Sequence, residues 1–292
     1  MPWLQLRISS SKSHAEDIEN TLLEAGAVSV TFEDNADEPI LEPALGETPL
    51  WGETRITGLF DAETDTAATT QILKNSLGQS LPDHSWEILE DKDWEREWMK
   101  HYQPIQCGER LWICPSWLAP PQPESVNLLL DPGLAFGTGT HPTTFLCLQW
   151  LDKLPLTGKT VTDYGCGSGI LAIASLLLGA KSTICVDIDP QALKATADNA
   201  ERNGLQPDQT PVYLPNNAPE TPTDLVIANI LAGPLVALAP KLASLTKPGG
   251  HLCLSGIIES QAEEVMESYR PWFDFDPPVS NEQWVRLTAV KR

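Results

Sequence analysis

Residues 160–180 read TVTDYGCGSGILAIASLLLGA. Three segments follow one another: a β-branched start, a glycine turn, and an apolar run of helical character. Glycines 165, 167 and 169 allow a tight turn and let the backbone approach a ligand closely. The helix that follows points unpaired N–H groups and the positive end of its dipole at that ligand. Strand, glycine turn and helix in this order are the cofactor unit of an open α/β sheet, so this stretch decides the fold class.

The next strand, STICVDID (182–189), carries Asp187 near its end. A carboxylate there accepts hydrogen bonds from ribose hydroxyls. Two cofactor classes fit this far. The dinucleotide fingerprint is G-x-G-x-x-G, whereas this turn reads G-x-G-x-G with Asp163 two residues ahead of it. A pyrophosphate sits poorly beside Asp163, while a cation is attracted, and the methionyl ammonium of S-adenosylmethionine is such a cation. A strand ending in Asn229 (DLVIANI, 224–230) and the turn KPGG ahead of HLCLSG complete the constellation.

Outward from this unit, residues 126–292 alternate strands and helices. Strands are expected at 126–131, 160–165, 182–189, 211–215, 224–230, 251–257 and 284–292, and helices at 141–153, 169–179, 190–203, 232–245 and 260–271. Near-continuous apolar strands between helices indicate a parallel sheet covered on both faces. With DYGCGSG, VDID, DLVIANI and LTKPGGHLCLSG, the region resembles the seven-stranded, Rossmann-like S-adenosylmethionine-dependent methyltransferases. Families of that fold that methylate nucleobases or glutamine carry two prolines and an aromatic after the strand-four Asn or Asp. This chain reads NILA there instead. Asn229 is then either a group that orients an acceptor amine or a turn former at a strand end.

A second glycine run, GLAFGTGTHPTT (133–144), also ends a strand and opens a helix. It lacks the lysine of a phosphate-binding loop. Together with NILA it resembles the ribosomal protein L11 methyltransferase family, and that resemblance covers essentially the whole chain. The resemblance implies methyl transfer from S-adenosylmethionine to lysine side chains and the N-terminal amine of that ribosomal protein. It also implies cofactor contacts at Thr144, Gly165, Gly167, Asp187 and Asn229, with Asn229 as the catalytic residue. The second glycine run becomes a cover over the site, and His141 an ordinary loop or capping residue.

Residues 1–90 give strand and helix signals in the order βαββαβ, at 3–9, 14–27, 28–34, 53–60, 64–78 and 85–91. That is the pattern of a small ferredoxin-like α+β domain. The resemblance assigns it substrate recognition. The expected organisation is this domain at 1–90, a connector with a hinge helix at 91–125, and the methyltransferase domain at 126–292.

The net charge is −21, and residues 1–90 hold 17 acidic against 4 basic side chains. Such a surface repels nucleic acid and suits a basic partner such as a ribosomal protein, or it serves solubility alone. Six cysteines without a C-x-x-C pair or a His at ligand spacing point to buried free thiols, with no metal site or disulfide framework. No apolar run reaches the ~20 residues of a membrane span. The start, MPWLQLRISS, has no signal-peptide features, so a cytoplasmic monomer is expected. Methylation of a small molecule or an RNA, and a nicotinamide-dependent oxidoreductase, are the competing readings.

Overall fold

The structure is a computed structural model that describes residues 2–36, 49–78, 81–90, 102–131, 137 and 139–292. The chain divides into two compact units, 1–99 and 100–292.

The first unit contains β1 (Trp3–Ser11), α1 (Ala15–Glu24), β2 (Ser29–Asp34), β3 (Glu53–Asp61), α2 (Thr66–Leu77) and β4 (His84–Leu89), the order read from the sequence. Its four strands pair antiparallel in the order β2-β3-β1-β4. Alternation along β1 sends Leu6 and Ile8 to the helix side, where they meet Ile56 and Phe60 of β3, Ile18 and Leu22 of α1, and Leu73 of α2. Asp65 caps α2 by accepting from the Ala67 and Ala68 N–H groups at 3.0 Å. The Pro-rich connection read after β2 lies largely outside the described residues.

The second unit contains a small sheet and a large one. The small sheet consists of β5 (Ile105–Gln106), β6 (Leu111–Cys114) and β7 (Val126–Leu129). This corrects two expectations. Residues 102–125 carry two strands where prolines suggested a loop, and 126–129 pairs with β6 rather than joining the large sheet. Hydrophobic periodicity reveals a strand but not its partner. The hinge helix expected after residue 91 falls mostly outside the described residues.

The large sheet runs β10-β9-β8-β11-β12-β15-β13, with β14 added beside β15. Its strands are β8 (Thr160–Tyr164), β9 (Ser182–Val186), β10 (Val212–Tyr213), β11 (Thr223–Asn229), β12 (Thr246–Ile258), β13 (Phe273–Phe275), β14 (Val279–Asn281) and β15 (Trp284–Lys291). It therefore has eight strands, not seven, and it is mixed: β8 to β12 pair parallel, while β15 runs antiparallel to β12, β13 and β14. β13 and β14 span three residues each, too short to show a period in the sequence.

Helices α3 (Pro142–Lys153), α4 (Ile170–Leu177), α5 (Pro190–Arg202), α6 (Ala232–Leu245) and α7 (Ala262–Tyr269) fall where helical patterns were read. Alternation along β11 divides them between two faces. Leu225 and Ile227 pack with Leu148 and Leu151 of α3 and Ile173 of α4, while Val226 and Ala228 pack with Leu235 and Leu242 of α6 and Val265 of α7. A mixed α/β sheet with helices on both faces results, and its central parallel strands all end at one edge. Asp152 in the last turn of α3 accepts from the Glu109 N–H at 2.7 Å, anchoring α3 to the turn between β5 and β6. All six cysteines are buried free thiols.

Candidate active site

Three strand ends converge on the glycine turn. β8 stops at Tyr164, β9 at Val186 and β11 at Asn229. The turn is tied to β9, because the N–H groups of Gly165 and Cys166 both donate to the Val186 carbonyl, at 2.7 and 3.0 Å. Gly165 has φ 83°, and a Cβ there would lie 2.2 Å from Cγ2 of Ile230. Only glycine combines that backbone conformation with that approach.

Asp187 stands one residue past the end of β9. Its Oδ2 accepts from the Gly167 N–H at 2.9 Å and its Oδ1 from the Asp189 N–H at 3.0 Å. The carboxylate is thus fixed against the turn while remaining at the mouth of a pocket. That pocket has a volume of about 340 Å³. Thr144, Gly165, Gly167, Asp187 and Asn229, the five site residues expected from the sequence, all line it.

Asn229 reaches Thr144, on α3, across the pocket wall: its Nδ2 donates to Thr144 Oγ1 at 3.2 Å. Its Oδ1 is buried and has no hydrogen-bond partner. A buried amide oxygen without a donor is costly, so this geometry leaves an acceptor waiting at the pocket wall. His141 caps α3: its Nδ1 accepts from the Thr143 N–H at 3.4 Å, and its ring meets the Trp284 ring edge-on at 4.8 Å. Burial lowers its pKa, against an opposing pull from Glu282.

Asp163 is placed differently from the sequence expectation. It is fully buried and does not line the pocket. Its Oδ2 accepts from the Ala172 N–H at 3.0 Å. Gly169, the residue that begins α4, has no side chain to cap the helix, and Asp163 supplies the missing oxygen from the neighbouring strand. Burial pushes its carboxyl up to about 7, with the Ala172 N–H pulling it down and the Asp187 charge pushing it up again.

The sign of the linkage follows. A carboxyl whose folded-state pKa is raised stabilises the fold fully below its unfolded value near ~4, and that stability is lost as pH rises to the folded value of about 7. Asp163→Asn is therefore expected to gain a few kcal/mol relative to wild type between about pH 4 and pH 7. Thermal denaturation midpoints measured across that range check it. An unchanged difference between variant and wild type contradicts it.

The two glycine runs meet at one hydrogen bond: Ser168 Oγ, in the cofactor turn, donates to the Gly137 carbonyl at 2.7 Å. Gly137 lines the pocket beside Thr144. Most of the second run, 133–136 and 138, lies outside the described residues. Sequence reasoning missed the apolar wall. Ile188 and Leu231 line the pocket while standing 82 % and 50 % exposed, and each directly follows a named region, VD at 186–187 and NI at 229–230. A large aliphatic residue left in water at a pocket mouth is the signal that would have found them.

The profile of the family "Ribosomal protein L11 methyltransferase (PrmA)" matches residues 2–292. The chain belongs to the ribosomal protein L11 methyltransferase family. A relative named ribosomal protein L11 methyltransferase from Cellvibrio japonicus is 64% identical over 291 residues, covering 100% of this chain and 99% of that protein. One of the same name from Teredinibacter turnerae is 59% identical, covering 100% and 98%. The crystal structure of a ribosomal protein L11 methylase from Lactobacillus delbrueckii subsp. bulgaricus aligns with TM-score 0.59 at 33% identity, over 65% of this chain and 100% of that one. The mixed sheet of the second unit is thus a methyltransferase fold, and the pocket at its carboxyl edge is where that fold binds ligands. Within this L11 methyltransferase family chain, no group of three or more His, Cys, Asp or Glu forms a metal site among the described residues. No helix there is long and apolar enough to cross a membrane.

Proposed function

We propose that the chain transfers methyl groups from S-adenosylmethionine to amines of ribosomal protein L11, both lysine side chains and the N-terminal amine. The observation that carries this reading is the Asn229 amide, tied through Nδ2 to Thr144 with Oδ1 left buried and unpartnered.

The residues at the pocket fit the methyl donor. Gly165 leaves the space that a Cβ would fill, Asp187 offers a carboxylate for ribose hydroxyls, and Ile188 and Leu231 offer apolar cover for a flat base. S-adenosylmethionine supplies, when bound, a methyl group already activated by a sulfonium leaving group. The chain's own contribution is alignment and exclusion of water.

The acceptor amine must be neutral to carry a lone pair. Asn229 suits that need because it is uncharged. A carboxylate in its place would hold the amine as an ammonium, whereas an amide oxygen accepts an N–H without stabilising the cation. Thr144 fixes which end of the amide faces the amine, since Nδ2 is already engaged.

The first unit fits the role of a ferredoxin-like recognition domain. Its βαββαβ order and antiparallel β2-β3-β1-β4 sheet support that reading, as does the acidic excess of residues 1–90. The proposed division places recognition in 1–90 and chemistry in 126–292, with 91–125 joining them. Neutralising several exposed carboxylates in the first unit, Glu16, Asp17, Glu19 and Glu24 on α1, is expected to weaken L11 binding several-fold and to leave donor affinity intact. Equal loss of both in titrations contradicts the assignment. Calorimetry with S-adenosylmethionine and with NAD tests the cofactor. Binding of the former alone supports the reading, and binding of NAD alone overturns it.

A further inference from the structure

Glu282 has a conformation that its surroundings do not explain. It is the one non-glycine residue with positive φ among the described residues, at 56°. It opens the two-residue loop between β14 and β15, where Asn281 pairs with Trp284. Glycine or asparagine occupies such a position at lower cost. Glu282 is exposed, so no burial rewards the choice, and it has no ion-pair partner among the described residues. A strained, solvent-facing and unpaired acid has no folding rationale.

Its position supplies one. Asn229, at the end of β11, pairs with Ser255 of β12. Three residues further along β12, Ile258 pairs with Trp284 of β15. The loop before Trp284 therefore lies at the carboxyl edge of the parallel strands, the edge that holds the pocket. The same place is reached by another path. Thr144 bonds Asn229, His141 begins the helix that carries Thr144, and the His141 ring packs on Trp284 at 4.8 Å. Burial keeps the His141 imidazole below its ordinary pKa, so at neutral pH it does not itself satisfy the Glu282 charge.

We propose that the β14–β15 loop is a docking point for the protein substrate, with Glu282 as counter-charge for a cationic side chain adjoining the acceptor amine. Trp284 and His141 form the wall between this point and the pocket. The inference rests on the reading that the acceptor is an amine of ribosomal protein L11. It adds a contact outside the recognition role given to the first unit. Glu282 acts on binding and orientation, and touches neither donor nor reacting atoms.

Steady-state methyl transfer to purified L11 by the full-length chain tests it. Glu282→Gln is expected to raise KM for L11 by about threefold to fivefold, the span of one exposed ion pair, with kcat within twofold of wild type. Glu282→Lys is expected to raise KM by about tenfold or more. Both differences shrink as salt is added, and the dissociation constant for S-adenosylmethionine, read by calorimetry, stays at the wild-type value. Glu282→Gly relieves the backbone and is expected to melt at or above the wild-type temperature while showing the same rise in KM. A folding role would not move those two readouts in opposite directions. Unchanged KM in the Gln and Lys variants overturns the proposal, as does a fall in kcat with KM unchanged. Failure of the wild-type chain to methylate L11 at all overturns instead the reading on which it rests.

Discussion

Asp187→Ala is expected to weaken S-adenosylmethionine binding about a hundredfold, on the order of 3 kcal/mol. The carboxylate offers charge-assisted acceptors at the pocket mouth, and no other acid lines the pocket. Its side chain also holds the N–H groups of Gly167 and Asp189, at 2.9 and 3.0 Å. Alanine therefore removes the ribose contact and loosens the glycine turn together. Because each backbone bond is worth only about 1 kcal/mol net, the loss falls mainly on affinity and the fold survives. Calorimetric titration reads the affinity and thermal denaturation reads the fold. Donor affinity within threefold of wild type contradicts the ribose assignment.

Asn229→Ala is expected to lower kcat by about a hundredfold to a thousandfold, with donor affinity falling less than about tenfold. The asymmetry follows from the geometry. The donor is held at several places along the turn, whereas the buried Oδ1 of Asn229 is the acceptor left open for the amine. Asn229→Asp separates geometry from charge. It keeps the shape and an oxygen for Thr144, but the carboxylate raises the pKa of a nearby amine by roughly one to three units. The acidic limb of kcat/KM then moves to higher pH, and activity lost at neutrality returns in part as the solution is made alkaline. A pH–rate profile shows the shift, and an unmoved acidic limb argues against an amine bound at this residue.

The parts of the molecule that were legible in the sequence are those governed by local chemistry. Glycines 165, 167 and 169 between a β-branched strand and an apolar helix identified the cofactor turn, because only that backbone needs so many glycines so closely spaced. Asp187 and Asn229 were readable as polar residues ending apolar strands, and they stand together at the pocket. Thr144 came from the family resemblance, and its bond to Asn229 spans 85 residues that no local pattern connects.

What the sequence concealed depended on pairing and direction. Asp163 read as a pocket charge because it sits two residues before the turn. Its side chain instead points behind the turn to cap α4 at the Ala172 N–H. Residues 126–129 read as an ordinary sheet strand, yet pair with Leu111–Cys114 in a separate small sheet. β13 and β14 were too short to register, so the antiparallel edge and the strained Glu282 loop went unseen.

The most direct test incubates the chain with S-adenosylmethionine radiolabelled in the methyl group and the dissociated proteins of the large ribosomal subunit, then separates the products. One labelled band at the position of L11, lost with Asn229→Ala, is the predicted result. Label in a different protein, in ribosomal RNA, or in no product at all contradicts the account.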